Sequence, residues 1–281
     1  MVIVALLVFT ILLPGCNMGT GRKDKQMTTN ATMVCDTIPS TQWETLSQKK
    51  IFFAHQSVGF NIIDGIRDIE KKLPSLRLNI IETRDAKDLT NSVFAHSRIE
   101  KNEEPLLKIA DFKKVIENGM GKTVDVALLK FCYVDITLNT QIKAVFDSYV
   151  TTMDSLQAEF SDTKFVYCTV PLSVCNRSIK GHIRRFIHRY DNNDLNNKAR
   201  TEFNRLVREK ALNGGLLFDL AHWESTYPDG SSENFSLGGK KYESLIPSYS
   251  SDGGHLNTSG RDWIAGHLLV FLQNQFKNSG S

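Results

Sequence analysis

Ser57 is a candidate nucleophile because of the pattern on either side of it. A short apolar run, 51–54, precedes it, and after it apolar residues recur at the spacing of an amphipathic helix. A serine at such a strand-to-helix turn can expose its hydroxyl beside the free N–H groups of the helix start, which would stabilise an oxyanion. The alternative is that Ser57 caps the helix, the commoner role of serine at that place.

Asp252 and His255 could supply the base that a serine nucleophile needs. A hydroxyl is a weak nucleophile and requires an imidazole, whose tautomer in turn requires a carboxylate. The aspartate precedes the histidine by three residues, in one short loop ahead of a helix predicted over 259–276. The alternatives are a surface histidine bonded to a neighbour and an Asx turn before the two glycines. Ser57, His255 and Asp252 are therefore predicted to act as nucleophile, base and orienting carboxylate.

The serine after the first strand and the Asp-x-x-His before the last helix together resemble the SGNH/GDSL family of serine esterases and lipases. The resemblance runs from about residue 49 to the C-terminal end, although the family's Gly-Asp-Ser is here His55-Gln56-Ser57. It implies an α/β fold of three layers, α/β/α, with a mostly parallel central sheet of SGNH or flavodoxin-like type. It also implies hydrolysis of an acyl ester through an acyl-serine, without a metal or an organic cofactor.

The resemblance is incomplete at the oxyanion hole. Family members use a glycine N–H and an asparagine side chain, the latter from a Gly-x-Asn-Asp after the third strand. The corresponding stretch here, 131–135, keeps the final Asp135 but has Val134 where the asparagine would be. Four residues are candidates for the missing donor: Gln56, Asn102, Lys130 and Tyr133. The altered motifs leave a second function open, a degenerate SGNH domain that binds an envelope glycan or a protein partner without turnover.

Strands alternate with helices along the chain, which favours a mostly parallel sheet covered on both faces. We predict strands over 51–54, 76–82, 124–131, 163–170 and 216–221. The segments 83–104 and 223–250 are predicted to be long loops, and 172–193 an irregular excursion. Ligands of such sheets bind at the carboxyl ends of the strands, where Ser57 and the Asp-x-x-His loop would meet.

The substrate expected from the resemblance is an acyl ester, with acetylated carbohydrates among the possibilities. Aromatic side chains in the second predicted loop would suit the face of a sugar. These are Trp223, Tyr227, Tyr242 and Tyr249.

Composition favours one globular domain. With 281 residues, 41% of them hydrophobic, the chain can bury a full core. A net charge of +3 is too small to indicate a nucleic-acid partner. We place the domain at 46–281, and the polar stretch 17–45 is predicted to be a flexible tether. Four cysteines follow the tether's start without metal-ligand spacing, and no disulfide is predicted among them: Cys35, Cys132, Cys168 and Cys175.

The first sixteen residues resemble a bacterial lipoprotein signal peptide. An almost wholly apolar run, 2–13, is too short to cross a bilayer comfortably, and Leu-Pro-Gly-Cys follows it. The resemblance implies that Cys16 is acylated, palmitate included, and becomes the mature N-terminus. A general secretory signal is the alternative. Either signal predicts a location outside the cytoplasm, and the first predicts a lipid anchor to a membrane of the bacterial cell envelope.

The lipid anchor can be tested at Cys16. Because the predicted lipid would be attached to this cysteine, Cys16→Ser should release the protein from the membrane fraction or block its processing. Fractionation of the two proteins measures this outcome. Identical fractionation and processing would contradict the lipoprotein interpretation.

Overall fold

The computed structural model describes residues 34–186 and 189–277. Its helices are α1 (Ser40–Ser47), α2 (Val58–Lys72), α3 (Pro105–Glu117), α4 (Ile142–Glu159), α5 (Ile179–Phe186), α6 (Asn192–Leu212), α7 (Leu220–Ser225) and α8 (Thr258–Asn274). Its strands are β1 (Lys50–His55), β2 (Ile80–Glu82), β3 (Val93–Arg98), β4 (Val126–Leu129), β5 (Lys164–Cys168), β6 (Leu216–Phe218), β7 (Asn234–Leu237) and β8 (Lys240–Glu243). Within these ranges no helix is long and apolar enough to cross a membrane.

The central sheet has six strands in the order β2-β3-β1-β4-β5-β6, and every neighbouring pair is parallel. All six strands therefore end at the same edge. β1 lies in the middle, so the turn that follows it has the ends of β3 and β4 on either side. The predicted α/β class with a mostly parallel sheet is confirmed.

Two apolar cores cover the two faces of the sheet and give the three layers that were predicted. One core joins the sheet to α1, α2 and α8, and includes Phe53, Ile62 and Leu268. The other joins it to α3, α4 and α6, and includes Phe52 and Phe112. Because successive side chains of a buried parallel strand point to opposite faces, β1 reads as a nearly continuous apolar run.

The prediction of a long loop over 83–104 was wrong, because it contains an internal strand of the sheet. β3 pairs with β1 on one side and β2 on the other. Its sequence, VFAHSR, ends in polar residues and does not resemble a buried strand, yet His96 and Ser97 are both buried. The predicted strand over 76–82 is real only at Ile80–Glu82.

The second predicted loop, 223–250, is also structured. It begins inside α7, which shortens the predicted strand over 216–221 to Leu216–Phe218. It continues through an antiparallel hairpin, β7–β8, and ends in a single 3₁₀ turn at Pro247–Tyr249. The excursion 172–193 contains α5 and the start of α6. Short elements such as these carry too few periodic positions to be seen in the sequence.

The predicted tether, 17–45, extends too far toward the C-terminus. Cys35 and Trp43 are fully buried against the core that contains α2 and α8. The helix α1 starts at Ser40, so the folded body begins before residue 46. The predicted signal peptide and the first part of the tether lie outside the described residues.

This boundary can be tested by truncating the buried indole. Trp43→Ala should lower the free energy of unfolding by about 3–5 kcal/mol, because a large side chain leaves a cavity in a packed core. Glu44→Ala, one residue further along the same helix and exposed, should change it by no more than about 0.5 kcal/mol. Chemical denaturation measures both values. Two equally small changes would return residues 40–45 to the tether.

Candidate active site

Ser57 occupies a strained backbone position between β1 and α2. Its φ of 49° and ψ of −106° are close to those of the first central residue of a type II′ turn, where glycine is the usual choice. The Gly59 N–H closes the turn on the Gln56 carbonyl at 3.0 Å. The hydroxyl of Ser57 makes no capping hydrogen bond to the helix. The structure thus excludes the helix-cap alternative, and the strain is of the kind that concentrates at functional sites.

His55 and Gly59 explain how the turn fits against the strand. A Cβ on Gly59 would lie 2.3 Å from the imidazole of His55, so only glycine permits this approach. His55 is buried, and its Nε2 lies 3.1 Å from Nδ1 of His96 on the neighbouring strand. Burial lowers the pKa of both imidazoles. His55 therefore packs beneath the turn, against Gly59 and beside His96.

The loop that carries Asp252 and His255 is closed by its own hydrogen bonds. An isolated β-bridge joins Ser250 to Leu256 at its two ends. Oδ1 of Asp252 accepts the N–H groups of Gly254 at 2.9 Å and His255 at 2.8 Å. These two backbone donors and the imidazole of His255 lower the pKa of Asp252 below its ordinary value. The carboxylate is therefore ionised at neutral pH and can accept a hydrogen bond from the imidazole.

The three predicted residues lie in one line of hydrogen-bonding contacts. Oγ of Ser57 lies 2.6 Å from Nε2 of His255, and Nδ1 of His255 lies 2.6 Å from Oδ2 of Asp252. An ionised carboxylate only accepts, so Nδ1 carries the proton and Nε2 is free to accept from the serine hydroxyl. This is the geometry of a nucleophile, a base and an orienting acid.

Tyr133 fixes the position of this loop. Its ring packs edge-on against the imidazole of His255, with 5.9 Å between centroids. A Cβ on Gly254 would lie 2.7 Å from the Tyr133 ring, so the close contact requires glycine there. Tyr133 is itself held by Arg200, whose Nε donates to the Tyr133 carbonyl at 2.7 Å.

Three of the four candidates for the missing oxyanion donor have other hydrogen-bond partners. The side-chain amide of Gln56 donates to the carbonyl of Ile99, so Gln56 does not offer it to a substrate. Lys130 is fully buried and donates to the Gln56 carbonyl at 2.9 Å, so it is not a direct donor either. Oδ1 of Asn102 accepts from Lys108 at 2.9 Å. Tyr133 is the candidate whose side chain touches the triad.

Backbone N–H groups at the start of α2 are the other donors. The N–H groups of Gly59 and Phe60 are used by the carbonyls of Gln56 and Ser57. Those of Ser57 and Val58 are not used by these turns. They are therefore the backbone donors that the sequence analysis expects to stabilise an oxyanion at the start of the helix.

Two supporting residues were missed in the sequence. Ser250 accepts the N–H of Gly253 at 2.9 Å and donates to the carbonyl of His255 at 2.6 Å. Asn61 accepts the N–H of Leu256 at 3.2 Å and so ties α2 to the loop. Asn61 stands four residues after Ser57, on the same helical face, and that spacing was the available signal.

A buried ion pair links the turns that follow β3 and β4. Lys108 and Asp135 are both fully buried, with 2.6 Å between Nζ and Oδ2. Asp135 also accepts the N–H groups of Cys132 and Glu103, and it thereby joins the turn after β4 to the turn after β3. This is the role in the structure of the aspartate that matches the family's Gly-x-Asn-Asp.

Other residues considered for binding lie in different settings. Tyr249 is buried, and one face of the Trp223 indole stacks on His267 with 3.5 Å between ring centroids. Two cavities of about 790 and 580 Å³ are lined by residues other than the triad. The four cysteines of the described chain are buried free thiols. In the ranges 34–186 and 189–277, no three His, Cys, Asp or Glu side chains are grouped to hold a metal ion.

Comparisons with known proteins place the fold. No protein-family model and no curated protein matches the sequence. Among solved structures, the chain is similar to a GDSL-like lipase from Bacteroides thetaiotaomicron, with a TM-score of 0.50 and 10% identity, over 88% of this chain and 98% of that one. It is also similar to the lipopolysaccharide acetyltransferase periplasmic domain of Salmonella ser. Paratyphi A, with a TM-score of 0.42 and 13% identity over 83% of each chain. The first of these matches shows that the chain has an SGNH/GDSL-type fold.

The strain at Ser57 predicts an unusual response to glycine. Ser57→Ala should hardly change the free energy of unfolding, because the hydroxyl caps nothing. Ser57→Gly should be more stable than Ser57→Ala by about 1 kcal/mol, since relieved strain of about 1–3 kcal/mol exceeds the added flexibility of the unfolded chain.

Ser155 provides the matched control because it is an exposed helical residue of α4, one turn before the helix ends. There the order should invert, with glycine less stable than alanine by about 1 kcal/mol. Urea denaturation of the four variants measures both differences. The same order at both positions would contradict a strained turn at Ser57.

Proposed function

We propose that this protein is a serine ester hydrolase that cleaves an acyl ester through an acyl-serine intermediate. The observation that carries the proposal is the unbroken contact from Oγ of Ser57 through the imidazole of His255 to Oδ2 of Asp252. Ser57 and His255 are 198 positions apart in the sequence, so local folding alone does not bring them together. The SGNH/GDSL-type fold supports the same reading.

In the first half of the reaction, Oγ of Ser57 attacks the acyl carbonyl carbon while its proton passes to Nε2 of His255. The carbonyl oxygen becomes an oxyanion, which the N–H groups of Ser57 and Val58 would bind. Asp252 stabilises the imidazolium that forms, because its carboxylate faces the protonated Nδ1. The bond to the leaving alcohol then breaks, and Nε2 returns the proton to the alcohol oxygen.

In the second half, a water molecule takes the place of the alcohol. His255 removes a proton from the water, which attacks the acyl carbon of the ester on Ser57. The intermediate collapses, the proton returns from Nε2 to Oγ of Ser57, and the free acid leaves. Each half uses the same three side chains, so no further group is needed to balance the protons.

The exposure of the site favours a small acyl group on a large alcohol. The side chains of His255 and Asp252 are 45% and 57% exposed, so the reacting serine faces an open surface. A long acyl chain would find little apolar burial there, whereas an ester on the outside of a polymer could approach freely. We propose a short acyl ester, with an O-acetylated carbohydrate as the leading substrate class.

We also propose that the enzyme works in the bacterial cell envelope, held to a membrane by a lipid on Cys16. The apolar run followed by Leu-Pro-Gly-Cys supports this placement. An ester on an envelope polymer would lie within reach of an anchored enzyme.

A binding protein without turnover is the second candidate function. Val134 stands where an asparagine donor would be, and the loss of one such donor costs serine hydrolases about 2.7–4 kcal/mol of transition-state stabilisation. A degenerate domain would retain the fold and bind a glycan or a protein partner.

The two functions differ in the response to mutation of the triad. Ser57→Ala and His255→Ala should each reduce kcat/KM on a small acetyl ester by at least about 10³-fold, and the double variant should be little worse than either. Non-additivity is expected because the nucleophile and its base act as one unit. Asp252→Asn should also be damaging, since the imidazole loses its orienting charge.

His222→Ala serves as a control, because His222 is the exposed histidine at the start of α7 and is not part of the triad. It should keep full turnover. Labelling of the wild-type protein with a fluorophosphonate should place the adduct on Ser57. Unlabelled wild-type protein, or wild-type turnover in folded Ser57→Ala, would favour the binding function.

A further inference from the structure

The peptide between Gln56 and Ser57 is held at its carbonyl end by two donors. The N–H of Gly59 donates to the Gln56 oxygen at 3.0 Å, and Nζ of Lys130 donates to the same oxygen at 2.9 Å. The peptide is trans, so the N–H of Ser57 points in the opposite direction from that oxygen. Whatever fixes the carbonyl therefore fixes the direction of the Ser57 N–H.

Burying the ammonium group of Lys130 at this position is energetically unfavourable. It follows β4 directly, its own N–H donates to the Ala54 carbonyl, and its side chain is 0% exposed. Burial lowers its pKa below the ordinary value for lysine. The acidic groups that face it belong to Cys132, to Cys168 and to Glu224, and burial raises the pKa of Glu224 to about 8. Within the described ranges Lys130 has no salt bridge, and the hydrogen bond from its ammonium group goes to the Gln56 carbonyl.

We propose that Lys130 is a positioning residue for the oxyanion hole, which it serves by fixing and polarising the Gln56–Ser57 peptide. An ammonium donor on a carbonyl draws electron density through the amide, so the N–H at the other end becomes a stronger donor. In a buried site with a low dielectric this polarisation is greater than it would be in water.

The inference rests on the proposed hydrolase function and goes one step beyond it. It gives a physical account of how the site works with Val134 in place of a side-chain donor. The missing hydrogen bond is compensated by strengthening a backbone donor that remains. Lys130 never touches the substrate, which distinguishes it from the direct donor that the sequence suggested.

The experiment replaces Lys130 with methionine, which has a similar length and no charge. Turnover on a small acetyl ester should fall at least about tenfold in kcat, with KM within about twofold, because the lost interaction is made only in the transition state. Inhibition by phenylboronic acid, which forms a tetrahedral adduct on serine, should weaken by a similar factor. The melting temperature should stay the same or rise, because a buried charge has been removed.

Lys164→Met is the matched control, because Lys164 also donates its Nζ to a backbone carbonyl, that of Gln275, at the opposite edge of the sheet. It should leave kcat and boronate inhibition unchanged. Lys130→Arg keeps a cationic donor and should recover most of the activity. If Lys130→Met yields no folded protein, Lys130→Gln gives the same comparison of neutral with charged side chains.

The outcomes separate this inference from the proposed function. A kcat equal to that of the wild type in folded Lys130→Met or Lys130→Gln would overturn the positioning role of Lys130. The proposed hydrolase function would be unaffected. A parallel loss of kcat and melting temperature, shared by Lys164→Met, would overturn it as well. Folded wild-type protein that neither hydrolyses esters nor reacts with a fluorophosphonate would overturn both.

Discussion

The packing of α2 against α8 is the contact on which the site depends. Ser57 immediately precedes α2, and His255 lies just before α8. The relative position of the two helices therefore sets the distance between the hydroxyl and the imidazole. The helices approach closely at Gly65, where a Cβ would lie 2.5 Å from the carbonyl of Arg261. Ion pairs of Arg261 with Asp68 and of Lys72 with Asp262 flank this approach. A contact of 2.6 Å between side chains 198 residues apart requires such a rigid frame.

Further contacts position the two segments of the site, the turn at Ser57 and the loop at His255. His55 and Gly59 set the turn at Ser57, while Tyr133 and Gly254 set the loop at His255. The central position of β1 in the sheet explains why both sets are available, because the ends of β3 and β4 lie on either side of it. The buried pair of Lys108 and Asp135 joins these two neighbouring turns into one surface. The backbone strain at Ser57 is tolerated because these contacts hold the turn in place.

The hydrophobic pattern of the sequence predicted some strands of the sheet and missed another. The strands β1, β4 and β5 were predicted because continuous apolar runs are typical of strands buried on both faces. β3 was missed, although it is equally internal, because its buried positions include His96 and Ser97. His96 is tolerated there because its Nδ1 bonds to His55, and the strand ladder satisfies the backbone of both residues. Composition alone cannot reveal a partner that lies 41 residues away along the chain.

The sequence by itself determined the α/β class, the order of the main elements and the identity of Ser57, Asp252 and His255 as a group, because chain order and local spacing carry that information. Only the tertiary structure decided which side chains face the hydroxyl. It turned Gln56 and Lys130 from direct donors into supports of the turn, and it made residues 40–45 part of the core. The physical reason is that the direction of a side chain depends on backbone torsion and on neighbours remote in sequence. Such neighbours exist only once the two ends of the chain have packed together.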